Sequence, residues 1–177
     1  MSQKNFSLVI PCYNESKNIS FLLKKYSFFL KKVTNEIILV NNGSIDDTYK
    51  VFKKVKNKNI NFVSLKKNTG FGNGLIRGIN NAKGKYIIYS HADLELDPND
   101  VKKSIILFNK KKFINKNDKI LVKGLRINKR KNNWSFLDII FSNGLTVFSS
   151  LLFFKKLVDN HGIPVIFPKV MLKKIKY

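Results

Sequence analysis

Carboxylates are scarce in this chain: eleven Asp and Glu stand among 177 residues, against 34 Lys and Arg. Cysteine is scarcer still. The single Cys12 excludes a disulfide framework within the chain and fits a reducing compartment. Alone, it reads as a small buried apolar side chain rather than a reactive thiol. Long apolar runs are also missing. The longest, Leu145 to Phe154, is broken by Ser149 and Ser150 and falls short of the ~20 residues of a spanning helix. The opening "MSQKNFSLVIPCYNE" has one Lys and then an apolar run shorter than the ~7–15 residues of a signal-peptide core. A cytoplasmic chain without a transmembrane helix is therefore expected. Arginine is rare too: only Arg77, Arg126 and Arg130 occur, so the formal charge of +23 is almost all lysine.

That charge admits three sources. It fits a nucleic-acid-binding surface. It fits attraction to an anionic membrane surface, where each nearby Lys adds ~1 kcal/mol. It also fits a coding bias, because Asn and Ile are abundant beside Lys. What is plentiful otherwise is apolar: 44 % of residues, fifteen of them Phe. A packed domain follows, and global disorder is excluded.

The apolar pattern alternates between two periods. Short runs at 6–10 ("FSLVI"), 36–40 ("EIILV"), 60–65 ("INFVSL"), 85–90 ("KYIIYS") and 119–124 ("KILVKG") read as strands. Between them, Ile19, Leu22, Leu23, Tyr26, Phe29 and Leu30 recur at helical steps from Ser16, a plausible N-cap, to about Lys32. Further helices are expected over Thr48–Lys56, over about 72–82, and from Pro98 to about Lys110 with Asp97 as its cap. Uninterrupted apolar strands alternating with helices imply a mostly parallel open α/β sheet covered on both faces. In such sheets ligands lie beyond the carboxyl ends of the strands. The segments Pro11–Glu15, Asn41–Ser44 and His91–Asp93 all follow strands, so three polar stretches are expected on one rim. After Lys129 the character changes. "KRKNN" is a charged connector, 134–158 is one long or two short Phe- and Leu-rich helices, and "DNHGIPVIFPK" reads as a broken loop.

Two features of the rim carry chemistry. His91, Asp93 and Glu95 stand at every second position in "HADLE". In extended chain they would point the same way and could hold Mn2+ or Mg2+ against a substrate phosphate. The alternative is a helix cap beside a surface histidine. "KNTGFGNGLIRG" is a glycine-rich turn into a helix, whose N-terminus favours an anion. Its spacing matches neither the Walker loop nor the dinucleotide fingerprint. The alternative is a tight turn with close helix packing at Gly74 and Gly78.

The fragments "SLVIPCYNESKNI", "EIILVNNGSIDDT" and "KNTGFGNGLIRGINNAKGKYIIYSHADLELDP" resemble, in order and spacing over about residues 6–130, the family-two glycosyltransferases. They are most similar to the dolichyl- and polyprenyl-phosphate mannosyl- or glucosyltransferase branch. The resemblance implies a glycosyltransferase A-type fold and metal-dependent sugar transfer from a UDP-, GDP- or dTDP-linked donor. The acceptor would be a polyprenyl phosphate or another cell-envelope glycan precursor at the cytoplasmic membrane face. Residues 1–130 would form the donor domain and 131–177 a shortened helical acceptor-side extension. Pro11, Tyr13, Glu15, Asn42, Ser44, Asn68, Gly70, Arg77 and Ala92 match donor-binding positions. Asn41 and Asn42 stand where the family usually has Asp. His91, Asp93 and Glu95 fall on the metal motif, with His91 in place of an Asp and Glu95 in place of a Gln. Asp93 and Arg126 are the expected catalytic residues, and Arg126 and Arg130 the expected holders of an acceptor phosphate. A donor-binding protein of the same fold without turnover is the alternative. A nucleic-acid partner is not expected, since a carboxylate-bearing rim repels a phosphate backbone.

Overall fold

The computed structural model describes residues 5–30, 34, 36–94, 96–115, 120–126 and 135–174. Its strands are β1 (Phe6–Cys12), β2 (Glu36–Asn42), β3 (Ile60–Leu65), β4 (Tyr86–Tyr89), β5 (Val122–Lys123) and β6 (Val165–Pro168). Its helices are α1 (Ser16–Leu30), α2 (Thr48–Lys54), α3 (Phe71–Asn81), α4 (Pro98–Asn115) and α5 (Phe136–Leu152), and a 3-10 helix closes the described chain at Lys169–Lys174. The strand order is β3-β2-β1-β4-β6-β5. β1 pairs in parallel with β2 and β4, β2 pairs in parallel with β3, and β6 lies antiparallel against β4. The expected open, mixed, mostly parallel sheet is present.

Uninterrupted apolar strands need cover on both faces, and they have it. All seven residues of β1 and of β2 are buried. Val9, Ile38, Val40 and Ile87 join Ile79 and Ala82 of the α3 segment in one core cluster, which β6 extends with Val165 and Phe167. On the other face, Phe108 of α4 meets the rings of Phe6 and Tyr86 at centroid distances of 5.9 and 5.0 Å. Asp97 caps α4 as expected, accepting from the Asn99 N–H at 2.7 Å with Pro98 in the first helical position.

Several boundaries differ from the sequence reading. Pro11 does not end β1: it stays in register with Val40 of β2, while the ladder to β4 has already ended at Val9↔Tyr89, so no partner on that side needs its missing N–H. Glu15 rather than Ser16 precedes α1, since its carbonyl accepts from the N–H groups of Asn18 and Ile19. The segment read as a loop at 159–169 contains β6. Four residues flanked by glycine and proline carry too little periodicity to show as a strand, and the antiparallel register Tyr86↔Pro168 to Tyr89↔Val165 supplies what the local sequence does not. One compact unit holds Met1–Val122 with Pro164–Tyr177, and the other holds Lys123–Ile163.

Candidate functional site

The order of the strands reverses at β1. The connection from β1 leads outward to β2 and β3, and α3 then returns the chain to β4 on the other side. A crevice opens at the carboxyl ends beside such a switch point. It is here an open pocket of about 300 Å³, lined by Pro11, Cys12, Tyr13, Glu15, Asn42, Asn68, Gly70, Phe71, His91, Ala92 and Asp93. Of the expected donor-binding residues, Pro11, Tyr13, Glu15, Asn42, Asn68, Gly70 and Ala92 line it. Ser44 and Arg77 are outside the lining.

Ser44 has a different task, which it shares with two neighbours. Its hydroxyl accepts from the Asn14 N–H at 3.0 Å, the Thr48 hydroxyl from the Glu15 N–H at 2.9 Å, and the Asp46 carboxylate from the Ser16 N–H at 3.1 Å. Asn14, at φ 58°, returns a bond by accepting from the Ile45 N–H at 3.0 Å. Polar side chains of "NNGSIDDT" thus take three successive backbone donors of the first loop and hold Tyr13 and Glu15 at the pocket. Burial acts to raise the Asp46 pKa, but hydrogen bonds from Thr48 and Ser16 outweigh it and lower the carboxyl from 3.8 to about 2. Asn14 and Thr48 were not picked out from the sequence. The polar cluster after β2 was a signal for them, but it does not name its partners.

Asn42 is the hub of the second and third loops. It is 3 % exposed. Its Nδ2 donates to Asn68 Oδ1 and to the Gly70 carbonyl, both at 3.1 Å. Its Oδ1 accepts from the Thr69 hydroxyl at 3.3 Å and from the Thr69 N–H at 3.5 Å. An Asn amide has two donor hydrogens and two acceptor lone pairs, and here all are engaged in holding the glycine-rich turn. Gly70 takes φ 85° as it leads into α3, a conformation open to glycine. The bland reading of this motif also holds in part. A Cβ on Gly78 would lie 2.4 Å from Val9 Cγ1, so α3 packs closely on the sheet.

At the fourth strand the expected period of two does not persist. β4 ends at Tyr89, and Leu94 turns back through φ 65°, so 91–94 is not extended chain. His91 and Asp93 still meet, Nδ1 to Oδ2 at 3.6 Å, with side chains 40 % and 38 % exposed at the pocket. Glu95 lies outside the described residues. The His91 ring stands 4.9 Å from that of Phe71, a lining residue the sequence did not single out. Among the described residues no cluster of three or more His, Cys, Asp or Glu could hold a metal ion. A hard cation that keeps waters and binds substrate phosphate needs only one or two protein ligands, and an imidazole with a carboxylate meets that requirement. Cys12 matches its bland reading: it is buried, and burial, then the Glu15 charge, push its thiol pKa far up.

In the second compact unit, Arg126 is clamped by Asp159, which is buried. Its Nε donates to both carboxylate oxygens at 2.9 and 3.0 Å, its backbone N–H donates at 2.7 Å, and Nη2 makes a further close contact with Oδ1. Arg126 is thereby a structural tie within this unit. Arg130 and the connector 127–134 lie outside the described residues.

Comparison with known proteins agrees with this architecture. A poly-beta-1,6-N-acetyl-D-glucosamine synthase of Staphylococcus aureus is 36 % identical over 95 residues, 53 % of this chain and 23 % of that protein. An undecaprenyl-phosphate 4-deoxy-4-formamido-L-arabinose transferase of Yersinia enterocolitica is 34 % identical over 103 residues, 55 % of this chain and 32 % of that protein. The chain thus spans a quarter to a third of the curated relatives it matches. The fold is shared with glucosyl-3-phosphoglycerate synthase of Mycobacterium tuberculosis in complex with UDP, at TM-score 0.71 and 17 % identity, over 97 % of this chain and 59 % of that one. The same enzyme with Mn2+, UDP-glucose and phosphoglyceric acid superposes at TM-score 0.69. The family model for glycosyl transferase family 2 matches residues 7–175, and this chain belongs to that family.

Proposed function

We propose that the chain transfers a sugar from a nucleotide-sugar donor, seated in the pocket at the ends of β1, β2 and β4, to a polyprenyl phosphate at the cytoplasmic membrane face. The observation that carries this reading is the convergence of three sequence-distant loops on one pocket, with the His91–Asp93 pair at its edge. Tyr13 and Glu15 would contact the nucleoside, and Asn68 and Gly70 would bring backbone amides of the α3 N-terminus toward the diphosphate. His91 and Asp93 would hold Mn2+ or Mg2+, which supplies positive charge against the leaving diphosphate. The solved neighbour with Mn2+ and UDP-glucose supports the donor class, and the Yersinia relative supports the lipid-phosphate acceptor. The reading admits UDP-, GDP- and dTDP-linked donors, and a mannosyl or glucosyl donor follows from the resemblance.

A phosphate acceptor is already anionic at neutral pH, so its oxygen attacks without a protein base. Asp93 then serves by charge and position and not by taking a proton. Arg126 and Arg130 are assigned to the acceptor phosphate by sequence position. For Arg126 this requires phosphate oxygens to replace those of Asp159 on the guanidinium fork.

The test is thermal unfolding with UDP-, GDP- and dTDP-sugars, with and without Mn2+, followed by transfer to a short polyprenyl phosphate. A donor at ~100 times its dissociation constant should stabilise the chain by about 2.7 kcal/mol. Asp93→Ala should remove the metal-dependent part of that shift and all turnover. Donor stabilisation without transfer would favour a donor-binding role, and no stabilisation by any donor would overturn the reading.

A further inference from the structure

Phe71 lies at the pocket and not in the core. It is the first residue of α3, follows the positive-φ Gly70, lines the pocket and stays 45 % exposed. Its ring meets two others. Tyr89, at the end of β4, stands 6.4 Å away and nearly edge-on at 63°. His91 stands 4.9 Å away at 55°, a contact distance for two flat rings. Tyr89 is itself braced by Phe167 of β6 at 6.5 Å. The four rings form a ladder. It is rooted in the sheet, where Tyr89 pairs with Val9 and Val165, and it ends on the imidazole.

The imidazole needs such a support. A histidine that binds a metal through one ring nitrogen is normally oriented by a hydrogen bond from the other. Among the described residues the His91 side chain makes no hydrogen bond. Its Nδ1 faces Asp93 Oδ2 at 3.6 Å, which is too long for one. A side chain 40 % exposed, without a hydrogen bond, would turn among several rotamers. A ring at contact distance excludes the rotamers that would sweep through it. Phe71 therefore does for His91 what a hydrogen-bond acceptor does for most metal-binding histidines.

We propose that Phe71 is a positioning residue for the metal motif, whose ring holds the His91 imidazole with Nδ1 toward Asp93. This rests on the reading of His91 and Asp93 as the pair that holds Mn2+ or Mg2+. It also joins two parts of the pocket. Asn42 fixes Asn68 and the Gly70 carbonyl, the turn carries Phe71, and Phe71 fixes His91. The glycine-rich turn and the metal motif are thereby set by one support.

The test reads the ring contact and the metal separately, on the full chain. The chain has two histidines, His91 and His161, so their ring C–H signals are few enough to assign by proton NMR. Phe71→Leu should move the His91 signals, by removing the ring current of a neighbour, and leave those of His161 in place. Mn2+ binding is followed by water-proton relaxation, with the ion alone and with UDP. Phe71→Leu should weaken it about three- to tenfold, the range an aromatic pair supplies. Phe71→Tyr keeps the ring and should bind as the parent does. His91→Ala should bind more weakly, and adding Phe71→Leu to it should cost nothing further. The unfolding temperature of Phe71→Leu should stay near the parent's, because the ring is already half in water.

If His91→Ala weakens binding but Phe71→Leu does not, or weakens it equally with and without His91, this proposal alone is overturned. Unmoved His91 signals, or a Tyr variant as weak as the Leu one, would do the same. If the parent binds no Mn2+ in either condition, or His91→Ala binds it equally well, the metal reading fails and takes this proposal with it.

Discussion

Asn42 separates what a residue's position implies from what its contacts impose. By resemblance it stands where a base-reading Asp is usual. In the fold its amide is saturated by Asn68, Thr69 and Gly70. Asn42→Asp would keep the shape but remove both donors, setting a carboxylate against Asn68 Oδ1 and the Gly70 carbonyl. A loss of ~1–3 kcal/mol is expected, the usual cost of leaving buried groups unsatisfied. Urea unfolding measures this, and donor affinity should fall with it because the turn lines the pocket. If Asn42→Asp were as stable as the parent and bound donor better, Asn42 would be a base reader and not a tie. Ser44 and Arg126 teach the same lesson, since each was singled out for a ligand and each is engaged with protein. His91 and Asp93 remain at the pocket, where the motif placed them.

Among elements, the junction between the first two loops depends on one ionised carboxylate. Asp46 has its pKa lowered from 3.8 to about 2, so it binds a proton less readily folded than unfolded. Its contribution is therefore fully present above about pH 4 and is lost as pH falls through about 2. Asp46→Asn should show a flatter loss of stability across that acid window, measured by circular dichroism at fixed temperature. An identical acid profile would mean that the Ser16 and Thr48 contacts do not depend on the charge. Helix packing gives a second expectation. Gly78→Ala places a methyl 2.4 Å from Val9 Cγ1 and 2.7 Å from Val40 Cγ2, so a cost of ~1–3 kcal/mol is expected from overpacking. Gly162→Ala should be worse, because its Cβ would lie 1.9 Å from the Gly124 carbonyl oxygen, which is backbone and cannot rotate away. Differential scanning calorimetry of the two variants orders them. The elements themselves were largely legible, because buried parallel strands are uninterrupted apolar runs and the helices between them keep their period. β6 was not, since a four-residue strand is defined by its partner β4 and not by its own pattern.

For the molecule as a whole, the charge of +23 separates two kinds of binding by salt. Nucleic-acid affinity gained by counterion release would collapse between low and physiological salt. Donor binding in the proposed mode, with a divalent ion on Asp93, should survive that change. Titrating a UDP-sugar with Mn2+ and a random oligonucleotide at two salt concentrations tells them apart.

Order along the chain was enough to establish an alternating α/β sheet, and with it the rim on which three polar loops would meet, because burial on both faces leaves a periodic imprint in the residues themselves. Contacts between distant segments leave no such imprint. That Asn42 spends its amide on the glycine turn, that Leu94 bends the metal motif out of extended geometry, and that Asp159 claims Arg126 are all consequences of which surfaces the packed chain brings within hydrogen-bonding reach.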